Sequence, residues 1–268
     1  FQIAQALLAP FRLGLSATVA RPDGKEEQIF QVLGGMVFEG RVSDMVETVL
    51  SPYDVIQVLV DLTAEEKVEY KEQRQLYTGF LAKHNIRFGG GRGWMDFVYK
   101  AARLPGGKQA MSAYRRQKAI ALGAANKLDQ IWEILTKHRG ERTIVFTNDN
   151  ELAYRIGKAF LLPVLTHQTK LKERKALLEQ FKQGTLTVLV TSKVLNEGVD
   201  VPEASIGIIV SGSSGVREHV QRLGRILRHQ PGKRATLYEL VAKDTAEYFI
   251  NQRRRQHDAY QRTSAAES

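Results

Sequence analysis

Cysteine is absent from all 268 residues, which excludes disulfides and cysteine-ligated zinc sites and is typical of a reducing compartment. The chain also lacks any apolar run of about 18 residues, so we expect no membrane-spanning helix. The first ten residues, FQIAQALLAP, have neither the basic start nor the small-residue cleavage site of a signal peptide. Because there is no initiator Met, we expect the sequence to begin inside a larger intracellular protein, from the cytoplasm of a prokaryote or from a nucleus.

Acidic residues are outnumbered: 29 Asp and Glu stand against 39 Lys and Arg, a net charge of +10. A basic balance of this size indicates a polyanionic partner, and nucleic acid is favoured over a membrane surface. The imbalance is strongest from Phe97 to Leu128, where no carboxylate occurs. With 43% hydrophobic residues, the chain can bury the core of one or two domains.

After residue 126 the pattern alternates between helices and short apolar strands. Because such alternation is typical of parallel sheets covered by helices on both faces, we expect an α/β fold. Ligands of these sheets bind beyond the carboxyl ends of the strands, so the loops after Phe146, Val190 and Val210 are the candidate site. The predicted strands are Thr143–Phe146, Leu186–Val190, Ser205–Val210 and Ala235–Val241; the predicted helices are Asn126–His138, Asn148–Phe160 and one from about Leu171 to Gly184, with Thr169 as its candidate cap.

A different region precedes this alternation. Thr63 and Glu66 form a capping box that predicts a helix running to about His84, and the glycines of residues 89–93 predict a flexible hinge. Basic and aromatic residues then interleave, which suits phosphate contact combined with base stacking. The aromatics fit the core of a small helical hairpin equally well. The candidate nucleic-acid contacts in this region are Arg87, Arg92, Trp94, Arg115 and Arg116.

The segment His219–Arg228 reads HVQRLGRILR, a Q-x-x-G-R-x-x-R pattern. On a helix, Gln221, Arg225 and Arg228 share one face, and the guanidinium fork pairs well with phosphate oxygens. An amphipathic helix with a solvated basic face would show the same spacing. The motif gains weight from the order of four motifs along the chain: Ser16-Ala17-Thr18, then Val145–Thr147, then Thr191–Asp200, then Gln221–Arg228.

This ordered set resembles the C-terminal half of a superfamily-two nucleic-acid helicase, with the four segments corresponding to motifs III, IV, V and VI. The chain is most similar to XPB-type DNA helicases and translocases, in LSAT with Arg21 and Asp23, in Ser192-Lys193-Val194, in DVPEA at 200–204 and in QRLGRILR at 221–228. The resemblance implies a RecA-like fold with a thumb-like helical insertion. It divides the chain into the end of a first RecA-like domain (1–45), a second RecA-like domain (46–262) with the insertion at about 65–120, and a loose tail (263–268).

The resemblance also implies roles for individual residues. Arg225 and Arg228 would neutralise charge at the γ-phosphate of ATP, and Gln221, Gly198 and Asp200 would complete this side of the ATP site. Ser16 and Thr18 would couple nucleotide state to DNA. Small polar residues at strand ends would contact DNA phosphates without reading sequence, although each hydroxyl could equally be a helix cap or turn. These candidate DNA contacts are Thr147, Thr166, Thr191, Ser192 and Lys193.

Two elements of the family pattern do not occur in the sequence: a G-x-x-x-x-G-K-[ST] phosphate loop and a D-E-x-H motif. Since those elements bind the triphosphate and its magnesium, we expect ATP and Mg²⁺ as cofactors, with the Mg²⁺ ligands in an N-terminal half that this sequence lacks and no metal site within it. The expected enzyme is an ATP-dependent DNA helicase of repair or transcription, acting with DNA and a partner protein such as a nuclease or a larger assembly. The alternatives are a non-catalytic module that binds DNA or protein, another superfamily-two translocase and an RNA helicase.

Overall fold

The computed structural model describes residues 11–14, 26–38, 53–88, 93–192, 204–211 and 235–255. The first helix of this part of the chain, α1, precedes the sheet. The later elements alternate as the sequence pattern predicts after residue 126. In chain order the elements are α1 (Glu26–Leu33), β1 (Tyr53–Val60), α2 (Ala64–Lys83), α3 (Gly93–Arg103), α4 (Gly107–Leu122), α5 (Asn126–Lys137), β2 (Thr143–Phe146), α6 (Asn150–Phe160), β3 (Val164–Leu165), α7 (Leu171–Gln183), β4 (Val188–Thr191), β5 (Ile206–Ile209), β6 (Ala235–Ala242) and α8 (Ala246–Arg255).

The six strands form one sheet in the order β1-β6-β5-β2-β4-β3, and every pairing is parallel. In register, Thr143 lies opposite Val188 on one side and opposite Ile206 on the other. Parallel pairing brings the carboxyl ends of the strands to a common edge. The predicted α/β class is confirmed, and the loops after β2, β3, β4 and β5 lie along that edge.

The central strands are apolar on both faces. Val145, Val190 and Ile208 pack in one cluster with side chains of α5 and α6, whereas Ile144 and Leu189 are equally inaccessible but lie outside that cluster. Because both faces of such a strand are covered, its sequence is a continuous apolar run rather than an alternation of apolar and polar residues. Each fully buried aliphatic side chain stabilises the fold by roughly 1.5–3 kcal/mol, so this sheet is the stable centre of the structure.

Helices α2, α3 and α4 form the insertion between β1 and α5. The predicted capping box is present at its start, because the Thr63 hydroxyl accepts the Glu66 N–H and the Glu66 carboxylate accepts the Thr63 N–H. The insertion has a hydrophobic core of its own, which surrounds the fully buried Phe97. The turn into α4 uses Gly106, with φ of +80°, and Gly107, where a Cβ would lie 2.1 Å from the Ala101 carbonyl oxygen.

Several local predictions were wrong. Strands β1 and β3 were not predicted. The apolar residues before Ser16-Ala17-Thr18 also predict a strand, but those that the structure describes, residues 11–14, are irregular. Lys170 rather than Thr169 precedes α7, because the Thr169 hydroxyl accepts the Thr166 N–H at 2.9 Å and shapes the β3 loop instead. Gly93 is not a free hinge residue: it is buried at the start of α3, and a Cβ would lie 2.5 Å from the Arg87 carbonyl oxygen.

None of the helices in the described part of the chain combines the length and the hydropathy that a membrane span requires. Within the same residues, no group of three or more His, Asp or Glu side chains is arranged to hold a metal ion.

Candidate nucleic-acid and nucleotide interface

A row of small hydroxyl residues marks the carboxyl edge of the sheet. Thr147 follows β2, Thr166 follows β3, Thr191 ends β4 and Ser211 follows β5 closely. All four are fully buried. Since β5, β2, β4 and β3 are neighbours in that order, the fold brings together three of the predicted DNA contacts, Thr147, Thr166 and Thr191, and adds Ser211, which the sequence did not suggest.

The hydroxyls of this row bond to backbone groups at the edge. Thr147 Oγ1 donates to the Asp149 carbonyl at 2.8 Å, and Thr191 Oγ1 donates to the Ser192 carbonyl at 3.1 Å. Ser211 Oγ accepts the Asn148 N–H at 2.7 Å, which joins the loops after β5 and β2. Thr147 Oγ1 also lies 3.3 Å from the Thr191 carbonyl at the end of β4. In this structure the hydroxyls therefore form turns, the alternative that the sequence left open, while phosphate contact by Thr147, Thr191 and Ser192 stays a prediction.

The loop after β3 is closed by a separate set of bonds. The Thr166 hydroxyl lies 3.0 Å from the Tyr154 hydroxyl and accepts the Gln168 N–H at 3.2 Å. His167 is exposed, and its Nδ1 accepts a bond from the Asn150 amide at 3.1 Å. The loop thus places polar side chains beside the amino end of α6, where helix N–H groups carry partial positive charge.

The amino end of α6 is capped from within. Asp149 Oδ1 accepts the Leu152 N–H at 2.8 Å, which satisfies one of the free N–H groups of the first turn. Beside it, Asn148 Oδ1 is buried and has no hydrogen-bond partner among the described residues. The edge thus places the N–H groups and the partial positive charge of the first turn of α6 beside two acceptor side chains, Asn148 and Asp149.

The predicted nucleotide residues lie outside the described residues. These are Gly198, Asp200, Gln221, Arg225 and Arg228, together with Ser16, Thr18, Lys193 and Arg92 of the other predicted sets. The segment 212–234, which contains Gln221, Arg225 and Arg228, leaves the sheet from Ser211 at the carboxyl edge and returns at Ala235. Its roles stay predictions.

The aromatic residues of the insertion form a cluster around Phe97. The ring centroid of Trp94 lies 5.5 Å from that of Phe97 and 5.0 Å from that of Tyr114, yet Trp94 keeps 41% of its surface exposed. Burial raises the pKa of Tyr77 to about 12, and it also raises the pKa of Tyr114. Trp94 therefore belongs to the hairpin core on one side and offers an exposed face on the other.

The basic run of the insertion is only partly available to a ligand. Arg87 and Arg115 are both exposed. Arg116, in contrast, forms a two-point bond with the Glu69 carboxylate at 2.5 and 2.7 Å, which links α4 to α2 and lowers the pKa of Glu69. Lys100 is held by Asp96 at 2.9 Å.

Lys127, the last cation of this run, does not lie on the surface at all. Its side chain is 1% exposed and its Nζ lies 2.8 Å from a Glu247 carboxylate oxygen. In the sequence, Lys127 continues the basic run from Phe97 to Leu128, but its burial removes it from the cations available to a phosphate. A carboxylate 120 residues away along the chain leaves no local signal.

The comparisons with known proteins agree with this architecture. A family model described as "Helicase conserved C-terminal domain" matches residues 126–230. The "DNA 3'-5' translocase XPB2" of Sulfurisphaera tokodaii is 37% identical over 254 residues, which cover 95% of this chain and 58% of that protein. The "DNA 3'-5' helicase XPB" of Mycobacterium tuberculosis is 29% identical, over 95% of this chain and 40% of its own. This chain thus spans about half the length of these relatives.

Among solved structures, the Hef helicase domain of Pyrococcus furiosus superposes with a TM-score of 0.60 and 19% identity, covering 90% of this chain and 66% of that one. The C-terminal part of the Fun30 ATPase domain gives a TM-score of 0.52 at 13% identity, covering 76% and 89%. At these identities the likeness shows the fold alone, and that fold is RecA-like. The matching domain model and the 37% identity along nearly the whole chain show that this chain is similar to the C-terminal half of XPB-type superfamily-two helicases.

Proposed function

We propose that this chain forms the second motor half of an ATP-dependent DNA helicase or translocase. The observation that carries the proposal is the parallel sheet whose carboxyl edge gathers the loops after β2, β3, β4 and β5. In the sequence, the predicted arginine motif follows Ser211, the last described residue of this edge. A module that only binds would need no Q-x-x-G-R-x-x-R motif.

The proposed mechanism divides the work between two domains. ATP is the substrate and binds in a cleft, with this chain supplying Arg225 and Arg228 to the γ-phosphate as charge develops in the transition state. The described edge offers hydroxyls and one carboxylate that already caps α6, so it does not suit Mg²⁺. DNA phosphates would be bound without sequence preference along the edge and the insertion.

The direct test compares ATP hydrolysis by the 268-residue chain with hydrolysis by a version extended at its amino terminus to include the first motor domain. We expect DNA-stimulated turnover only in the extended protein, because the sequence here has no phosphate loop. Turnover by the purified shorter chain would contradict the half-motor proposal. An extended protein that binds DNA but hydrolyses no ATP would support the non-catalytic alternative.

A second test asks whether the insertion grips DNA. Arg115→Ala should flatten the dependence of log affinity on log salt by about 0.7–0.9 if Arg115 contacts one phosphate. Trp94→Ala should cost about 1–3 kcal/mol per stacked base and leave that slope nearly unchanged. Arg116→Ala should change the slope of log affinity against log salt very little, because Arg116 is already paired with Glu69. Fluorescence anisotropy of labelled DNA across a salt series measures all three.

Lys158→Ala is the matched control, since it removes an exposed cation near the far end of α6. A specific observation keeps a docking function open for the insertion: Val68 and Leu76 on α2 and Met95 on α3 are more than half exposed. If Arg115→Ala changes neither affinity nor slope while Leu76→Glu abolishes capture of a partner protein, the insertion docks protein instead. If Trp94→Ala lowers Tm without altering DNA affinity, its role is confined to the core.

A further inference from the structure

A single buried cation joins three parts of the fold. Lys127 lies in the first turn of α5, and its Nζ donates to the Val210 carbonyl at 2.7 Å, to a Glu247 carboxylate oxygen at 2.8 Å and to the Leu122 carbonyl at 3.3 Å. The side chain is 1% exposed. An ammonium group has three N–H donors, and here each can reach an acceptor.

The three acceptors belong to elements with different predicted tasks. Leu122 ends α4, the last helix of the insertion, and its carbonyl is one of those that a helix end leaves free. Val210 follows β5 directly and stands two residues before the segment 212–234 that contains Arg225 and Arg228. Glu247 lies on α8, and its carboxylate also accepts the Ala242 N–H of β6 at 2.9 Å.

Such a junction resists relative movement of its parts. Burial lowers the pKa of Lys127, and the facing Glu247 carboxylate opposes that shift. Both carboxylate oxygens of Glu247 lie within 3.1 Å of the Nζ atom, the geometry of a charge-assisted hydrogen bond. Moving Leu122 or Val210 away would leave part of a buried charge without a partner, which is costly.

A second set of contacts ties the base of the insertion independently. One oxygen of Glu66 accepts the Thr63 N–H at 3.1 Å, and the other accepts the Ala125 N–H at 2.9 Å. Asn126 donates to the Asp61 carbonyl at 2.8 Å. One carboxylate, that of Glu66, therefore bonds to Thr63, where the chain enters the insertion, and to Ala125, where the chain leaves it. These bonds tie the base of the insertion to the sheet.

We propose that Lys127 is a positioning residue that couples the insertion, at Leu122, to the carboxyl edge of the sheet, at Val210, so that DNA held by the insertion changes the rate of ATP hydrolysis. The inference rests on the proposed motor function. Lys127 touches neither nucleotide nor DNA in this role. It acts through the carbonyls of Leu122 and Val210, which it holds in a fixed relation.

The test uses the full-length protein with Lys127→Met combined with Glu247→Leu. Replacing both charges with apolar groups of similar volume is often tolerated. Because the Ala242 N–H loses its Glu247 acceptor, we expect a folded protein whose Tm falls by a few degrees, less than for Lys127→Met alone. We expect the ratio of kcat with saturating DNA to kcat without DNA to fall by about tenfold. Basal kcat, KM for ATP and Kd for DNA should each change less than about twofold, because the catalytic and binding groups are unchanged.

Two further variants separate coupling from folding. Lys127→Met alone should lower Tm by several degrees, because it removes the buried ammonium group that the Glu247 carboxylate and the Val210 carbonyl face. Lys243→Met is the matched control: it removes the exposed pair of Lys243 with Asp61 at the same base of the insertion and should leave the stimulation ratio unchanged. If the double variant folds and DNA stimulates its ATP hydrolysis as strongly as that of wild type, the proposed coupling is wrong and the proposed function is unaffected. A wild-type protein that hydrolyses no ATP contradicts the proposed function, and the coupling with it.

Discussion

Replacing Arg225 or Arg228 with Ala in the full-length protein is expected to lower kcat for ATP hydrolysis by about a thousandfold or more. In the proposed mechanism the guanidinium acts where charge develops in the transition state, so ATP binding should change much less than kcat. Steady-state kinetics with saturating DNA, together with equilibrium binding of a nucleotide analogue, measure the two effects separately.

Arg222→Ala is the matched control for this pair. On the predicted helix Arg222 projects about 100° away from Gln221, whereas Arg225 and Arg228 stay close to the direction of Gln221. We expect the Arg222 variant to keep kcat within a few-fold of wild type. If the Arg225 and Arg228 variants also stay within that range, these arginines belong to a solvated basic face and the proposed transition-state role is wrong.

Phe97→Ala is expected to destabilise the insertion by about 3–5 kcal/mol. Phe97 is fully buried, and its ring centroid lies 5.3 Å from that of Tyr77 in an edge-to-face arrangement and 5.5 Å from that of Trp94. Truncation of Phe97 leaves a cavity that the surrounding aromatic rings do not fill. Urea unfolding followed by Trp94 fluorescence, in a background that carries Trp132→Phe, reports on this region alone.

Leu76→Ala on α2 supplies the control, since Leu76 is 54% exposed and most surface substitutions change stability by no more than about 0.5 kcal/mol. The structure predicts a clear separation between the two unfolding midpoints. Equal midpoints would mean that the aromatic cluster does not form the core of the insertion.

Local chemistry determined much of the fold before any tertiary contact was known. Ile144–Phe146 is an apolar run with polar flanks, and the predicted strand Thr143–Phe146 agrees with the observed one residue for residue. The capping box of Thr63 and Glu66 involves only neighbouring residues, so its bonds could be read from spacing. Strand β3 has only two residues, which is too short for any periodic pattern.

Whether each candidate site residue is exposed and free to bind a ligand depends on the tertiary structure. Arg115 and Arg116 are adjacent and chemically identical, yet only Arg116 meets a carboxylate, because the packing of α4 on α2 brings Glu69 to it. The threonines at strand ends were identified from their position, but their burial follows from the way neighbouring loops close over one another.

The sequence by itself determined the α/β class, the carboxyl-edge location of the candidate site and the family resemblance, because alternation, strand ends and motif order are properties of short segments in a fixed order. Only the tertiary structure decided which charges face solvent. Lys127 shows why: in sequence it continues a basic run, but folding places it against Val210 and Glu247, and the cost of burying an ammonium group is met only by acceptors that distant segments bring to it.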